Sequence, residues 1–508
     1  MFLACNCLSN RTKQVKMKKI IIFFSVVLAC SACNKQIDGI RPLTQIDASG
    51  QLSSVAGIQQ ATAGNYTLLG SQVNGTGTTS YDLALNDIAE TRGNNEKLAN
   101  WGTPGQLTDA FFFQNTLSPA AGYGPIIYKG AYQLITSINV TLEGIASFKT
   151  STFSSLTTAD QNSILYAEGE NRFLRAMTYL NLVNIFGKPY YLASGGDLAV
   201  AIKKTGSATE IPGKSSVKDV YAYIVSELQA AAQLMKAPVS RTNAFASTGA
   251  CWALLSRIYL YMGGPVAGPD PSANQLAVTY ADSVIDQSNG LYGLAQGTTY
   301  SNMFGDDSQG QLGKSKTFSS NPEIVFCKDN STGGTVIDIL YHFFPDAGAG
   351  GIFLPSSDLL SRYVANDIRG TFFMINSSTG FTESTKWNCL NQGGGTFGPQ
   401  IFLRMGEIYL NRAEASAKIN DMTQAREDLK AVHVRAGLPG SDIDNLADNA
   451  VLSAVLNERR LELAFEGQNS FDYFRNGLPM IRTAADFNGT ALTVQPTDAT
   501  VVFPTPNF

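Results

Sequence analysis

Aromatic rings set beside amides and acids in polar, glycine-rich stretches are the residues of this chain with most to offer chemically. Asn100-Trp101, Tyr81-Asp82, Tyr123 and Trp387-Asn388 are the instances. A pyranose ring presents a C–H face that lies flat on Trp or Tyr, while planar amides, carboxylates and guanidinium groups take its hydroxyls. These seven residues are the candidate ligand contacts. Trp252, inside an apolar run, reads as core. A second group is ionic. Glu458, Arg459, Arg460, Glu462 and Glu466 fall within nine positions of a chain only 15% charged. Glutamates four apart share a helix face and repel. Arg459 can reach Glu462 at i+3, and Arg404, Arg412 and Arg435 from the preceding helix pair are the candidates to neutralise the rest. The alternatives are a solvated charged face and a buried structural network. In the second case Glu462→Ala is expected to cost on the order of 1–3 kcal/mol.

Other reactive patterns fail on spacing. Gly-Lys-Ser occurs at Gly213 and Gly313, but a phosphate loop needs a glycine five residues earlier, where Ala208 and Ser308 stand. His342 and His433 are the only histidines, too few for a histidine-rich metal centre or an ordinary Ser-His-Asp enzyme. Cys251, Cys327 and Cys389 have no zinc spacing. No catalytic residue, metal or cofactor is expected. A net charge of −4 gives no case for nucleic acid.

The elements that must position these residues are mainly helical. Apolar residues recur at three and four from Val55 to Leu69, Gly124 to Ile145, Ser163 to Phe186, Val217 to Met235, Phe245 to Tyr261, Ala277 to Asp286, Ile401 to Lys418, Met422 to Val434 and again from Val451. Short turns between them predict antiparallel, tetratricopeptide-like helix pairs. The scaffold is expected over about 55–69, 125–288 and 400–477. Two large loop-rich insertions, about 70–124 and 287–399, interrupt it, with a few short strands such as Glu323-Ile324-Val325-Phe326. Asn476 to Phe508 reads as an irregular tail.

The first 54 residues read differently. Lys18-Lys19 precedes the apolar run Ile20–Ala29, the length of a signal peptide's core and too short to span a bilayer. Small residues before Cys33 suit lipoprotein processing, which makes Cys33 the expected acylated residue and 1–33 the signal. Cys30 is the rival, and Met17 is a possible true start. Residues 34–54 are the expected tether, and a lipid the expected membrane anchor.

The chain resembles the SusD/RagB family of outer-membrane lipoproteins. The stretches that carry the resemblance include Cys33, Glu170-Asn171-Arg172-Phe173-Leu174-Arg175-Ala176 through Gly187-Lys188-Pro189, Asn321-Pro322-Glu323-Ile324, Asp367-Ile368-Arg369, Leu403-Arg404-Met405-Gly406-Glu407, Val434-Arg435-Ala436-Gly437-Leu438 and Asn457-Glu458-Arg459-Arg460-Leu461-Glu462. The resemblance implies capture of oligosaccharide without catalysis at the cell surface. It also implies a TonB-dependent transporter of the SusC type as partner, over which such proteins close like a lid. Peptide cargo is the alternative, and a lipoprotein glycoside hydrolase a more distant one. Ligand residues vary across the family, so no ligand motif carries over.

Overall fold

Helices with well-defined caps begin the architecture. The computed structural model describes residues 48–70, 73, 80–102, 104–118, 121–237, 239–286, 290–304, 321–328, 337–344, 348–386 and 400–506. Residues Ser54–Phe508 pack as one unit, and the preceding unit shows a single helical turn, Ala48–Gln51. In the larger unit, the long helices are α1 (Val55–Leu68), α2 (Tyr81–Thr91), α3 (Gly124–Ser151), α4 (Thr158–Phe186), α5 (Val217–Leu234), α6 (Thr248–Met262), α7 (Pro271–Ile285), α8 (Met405–Lys418), α9 (Met422–Arg435), α10 (Asp448–Glu462) and α11 (Asn469–Arg475). Ser54, Thr157, Ser216, Ser247, Asp270 and Asp421 each accept a first-turn backbone N–H, satisfying donors the helix itself leaves open.

Each helix packs on its sequence neighbour from α3 to α10, so the hydrophobic faces close in a run of pairs. Three residues, Ile419–Asp421, join α8 to α9, which forces an antiparallel pair. Small residues allow close approach: Ala413, Ala415, Ala417 and Ala425 are all buried. The helix α4 is the central one, with α1, α3 and α5 packed against it.

Strands are short and form antiparallel two-stranded sheets among the described residues. Strand β1 (Glu96–Leu98) pairs with Phe353–Pro355 and so ties the two predicted insertions together. Ile324–Lys328 pairs with Gln400–Arg404, immediately before α8. The predicted scaffold beginning near 400 thus starts as a strand, and α8 starts only at Met405.

The first insertion differs from the expected loop. It contains α2, all eleven of whose residues are buried. The C-terminal tail is mostly irregular, with one hairpin (Met480–Arg482 with Leu492–Val494), yet it is stitched to the body. Arg92 Nη1 donates to Val501 O (2.9 Å) and Phe503 N to Ile185 O (3.0 Å), and the Phe503 ring lies against Gly124, where a Cβ would clash.

Candidate functional site

Strand β1 ends with Ala99 N donating to Ile352 O, and the chain then leaves the sheet at Asn100 and Trp101. Both are exposed, Trp101 by 38%. The indole is braced edge-on by three rings: Phe487 (centroids 5.5 Å apart, 88°), Phe111 (6.0 Å, 62°) and Phe112 (6.1 Å, 67°). Such edge-to-face pairs add order as well as burial. Phe111 is itself fixed from below. The Arg482 guanidinium lies 3.9 Å from its centroid and donates to the carbonyls of Gly93 (2.9 Å), Phe111 (2.6 Å) and Thr91. Burial of Arg482 lowers its pKa to about 9, leaving it charged at neutral pH. A Cβ built at Gly102 or Gly105 would meet nothing, so these neighbours do not crowd the ring. The result is a rigid, half-open aromatic surface with an exposed amide beside it.

The other ring–acid pair expected here is elsewhere. Tyr81 (1% exposed), Asp82 (3%) and Tyr123 (1%) are in the core and are not part of an open surface. Asp82 accepts from Lys328 Nζ (2.8 Å) and from Leu83 N (2.9 Å) in the first turn of α2. Tyr81 packs on Gly130 and accepts from Asn181 (3.4 Å); burial pushes its phenol up to about 12. Tyr123 stands at the start of α3, and burial raises its pKa strongly. Trp387, Asn388 and Cys33 lie outside the described residues. No group of three or more ligating side chains suited to a metal occurs among the described residues, nor any helix long and apolar enough to cross a membrane.

The ionic group is a buried network around Glu462, which is fully buried. Arg404 reaches Glu462, Glu323 (3.1 Å) and Glu466 (2.6 Å); Arg435 reaches Glu462 and Glu323 (3.1 Å). Tyr300 donates its hydroxyl to Glu462 (3.2 Å), and the Arg435 guanidinium lies 3.8 Å from the Tyr300 centroid. Burial alone would raise the Glu462 pKa, but Arg435, Arg404 and Arg369 overturn this and hold it well below the usual carboxylate range. Glu458 is met by Arg369 (2.7 Å), which also pairs with Asp367 (2.7 Å), and Lys386 meets Glu466 (2.6 Å).

Three expectations change. Glu466 is not on the helix, because α10 ends at Glu462. Phe465 (φ 68°) and Gly467 (φ 73°) turn the chain there, and Glu90 holds the turn by accepting from Phe465 N (2.9 Å) and Gly467 N (2.6 Å). Arg412 belongs to a different pair set, with Asp428 and Asp282 (2.7 Å each), because its place on α8 faces α7 and α9. Arg459 turns away from Glu462 to Asp472 (2.7 Å) and Asn411 (2.6 Å).

Two family models match the chain. One, described as "SusD family", covers residues 346–501; the other, "Starch-binding associating with outer membrane", covers residues 58–260. The chain belongs to the SusD family. Similar solved structures include a SusD superfamily protein from Bacteroides thetaiotaomicron (TM-score 0.73, 22% identity, 89% of this chain and 96% of that one). Others are a SusD-like carbohydrate binding protein from Bacteroides vulgatus (0.68, 17%, 89% and 95%) and surface glycan-binding protein A from Bacteroides uniformis (0.64, 20%, 83% and 88%). At these identities the shared feature is the fold. No curated protein sequence matches. In this SusD-family chain the N-terminal match contains Trp101 and Phe111, and the C-terminal match contains Phe487, Arg482 and the Glu462 network apart from Glu323 and Tyr300.

Proposed function

We propose that this SusD-family protein is a non-catalytic, lipid-anchored subunit of the outer membrane that captures oligosaccharide. It then passes the glycan to a TonB-dependent, SusC-like transporter. The braced, half-exposed ring of Trp101 carries the reading: it offers a sugar C–H face a flat partner that loses little freedom on binding. The printed descriptions of the second family model and of the carbohydrate- and glycan-binding structural neighbours agree with this cargo. Asn100, exposed next to the ring, is the first hydrogen-bonding partner in the proposal. Residues 1–33 act as the signal, Cys33 carries the lipid and 34–54 form the tether to the outward-facing body.

Calorimetric titration of the purified protein against neutral and acidic oligosaccharides tests the reading. Trp101→Ala is expected to weaken binding about tenfold or more, about 1.4 kcal/mol. Unchanged affinity in that variant would remove Trp101 from the site. Cys33→Ser is expected to move the protein from the membrane fraction to the soluble fraction. Copurification with an outer-membrane barrel tests the partner.

A further inference from the structure

A pocket of about 180 Å³ opens between α10 and α11. An apolar cavity of about 150 Å³ is enough for one six-membered ring. Tyr473, Leu456 and Leu478 give the pocket an apolar side, and Arg362, Arg460, Asn457, Asn469 and Asp472 a polar one.

The polar side is unusual in what it has left to give. Each of its acceptors already holds at least one hydrogen bond. Asp358, behind the pocket, takes Arg362 Nη2 (3.1 Å) and Arg460 Nη1 (2.6 Å) on its two oxygens. Asp472 is taken by Arg459 Nε (2.7 Å) and by Arg475 Nη2 (2.6 Å). Asn457 Oδ1 accepts from Arg362 Nη1 (3.0 Å), Asn469 Oδ1 from Asn94 N (2.7 Å), and the Tyr473 oxygen from Asn94 Nδ2 (3.0 Å). The donors are not spent. The amide nitrogens of Asn457 and Asn469 and the Tyr473 O–H have no acceptor among the described residues, and Asn469 is only 5% exposed. Two guanidinium groups, Arg362 and Arg460, share the carboxylate of Asp358, with the Asp486 carboxylate behind it.

A wall whose unused groups are donors, with two guanidinium groups in it, facing an apolar wall fits a ring that carries an oxyanion. We propose that this pocket binds an anionic sugar residue, one bearing a carboxylate or a sulfate, as a subsite of the glycan surface. This rests on the glycan-binding reading above. A neutral sugar would meet the donors but find for its own hydroxyl protons only acceptors that already hold a hydrogen bond. The pocket is tied to the Trp101 surface through one carboxylate: Asp486 accepts from Ser357 N (2.6 Å) and Asp358 N (3.1 Å), and its neighbour Phe487 braces Trp101.

The test is titration of the mature protein with galacturonic acid trisaccharide, galactose trisaccharide, a sulfated galactose trisaccharide and an acidic tripeptide. The acidic or sulfated sugar is expected to bind at least tenfold more tightly than the neutral one, with affinity falling as salt rises; comparing the two anions assigns carboxylate or sulfate. Asn457→Asp keeps the acceptor for Arg362 but puts a negative charge in the pocket, and is expected to remove the preference for the anionic sugar. Equal binding of neutral and anionic sugars, or a preference that survives Asn457→Asp, overturns the subsite and leaves the glycan reading standing. Binding of the peptide alone overturns the sugar assignment, and binding of no oligosaccharide at all overturns both.

Discussion

Glu462 joins Arg404, Arg435 and Tyr300 in the buried network, and its removal reads out the cluster. Glu462→Ala leaves Arg404, Arg435 and Tyr300 facing an empty, dry position. Breaking a buried pair in this way costs on the order of 3–5 kcal/mol, more than the 1–3 kcal/mol expected before Arg369 and Tyr300 were known as partners. Urea denaturation measures it, and an unchanged midpoint would return these charges to a solvated face. Legibility at this scale followed sequence distance. The local cluster of glutamates signalled a network, and Arg404 and Arg435 were legible as its partners. Glu323, Arg369 and Lys386 were not, because each lies about 80 or more residues from the partner it meets: Arg404, Glu458 and Glu466. Trp101 reached an open surface, whereas Tyr81 and Tyr123, equally aromatic and equally flanked by glycine and polar residues, became core.

Helix α2 shows what an element can hide. Long helices with one buried stripe, such as α5 with Val217, Val220, Tyr221, Ile224, Leu228 and Ala231, announce themselves by period. The α2 sequence Tyr-Asp-Leu-Ala-Leu-Asn-Asp-Ile-Ala-Glu-Thr carries acids and amides on every side, yet all of it is enclosed. It is held by tertiary contacts that no local pattern records. One consequence is energetic. Asp87 is fully buried, and neither carboxylate oxygen has a hydrogen-bond partner among the described residues. Burial, with the nearby Asp109 charge, pushes its pKa well up. Asp87→Asn is expected to stabilise the protein at pH 8, with the gain shrinking toward pH 5 because the proton the buried wild-type carboxyl takes up on folding costs less as pH falls. Urea midpoints at the two pH values check this; a gain independent of pH would show that ionisation is not the cause.

Across the molecule, two sets of acids pull stability in opposite directions. Burial raises Glu90, Glu170 and Asp338 to about 7. The folded state therefore binds more protons than the unfolded one between about pH 4 and 7, and stability falls as pH rises through that window. Glu462 is depressed, so its contribution is present above its ordinary value of 4.5 and is lost as pH falls below it. Together they predict a melting temperature higher near pH 5.5 than at pH 8, with a steep decline below about pH 4. Differential scanning calorimetry across that range tests it, and a melting temperature rising steadily to pH 8 would contradict it.

The stitched C-terminal tail has a consequence for biosynthesis. Arg92, near the start of the body, is buried and finds carbonyl acceptors at Thr500 and Val501, some 400 residues later. Phe503 likewise fills the space beside Gly124 and bonds to the end of α4. A chain still on the ribosome cannot supply these groups until its last few residues have emerged. The N-terminal helices therefore reach their final packing only after residues 500–503 are available. Deleting only the last ten residues should give a protein that is made but fails to reach a protease-resistant state.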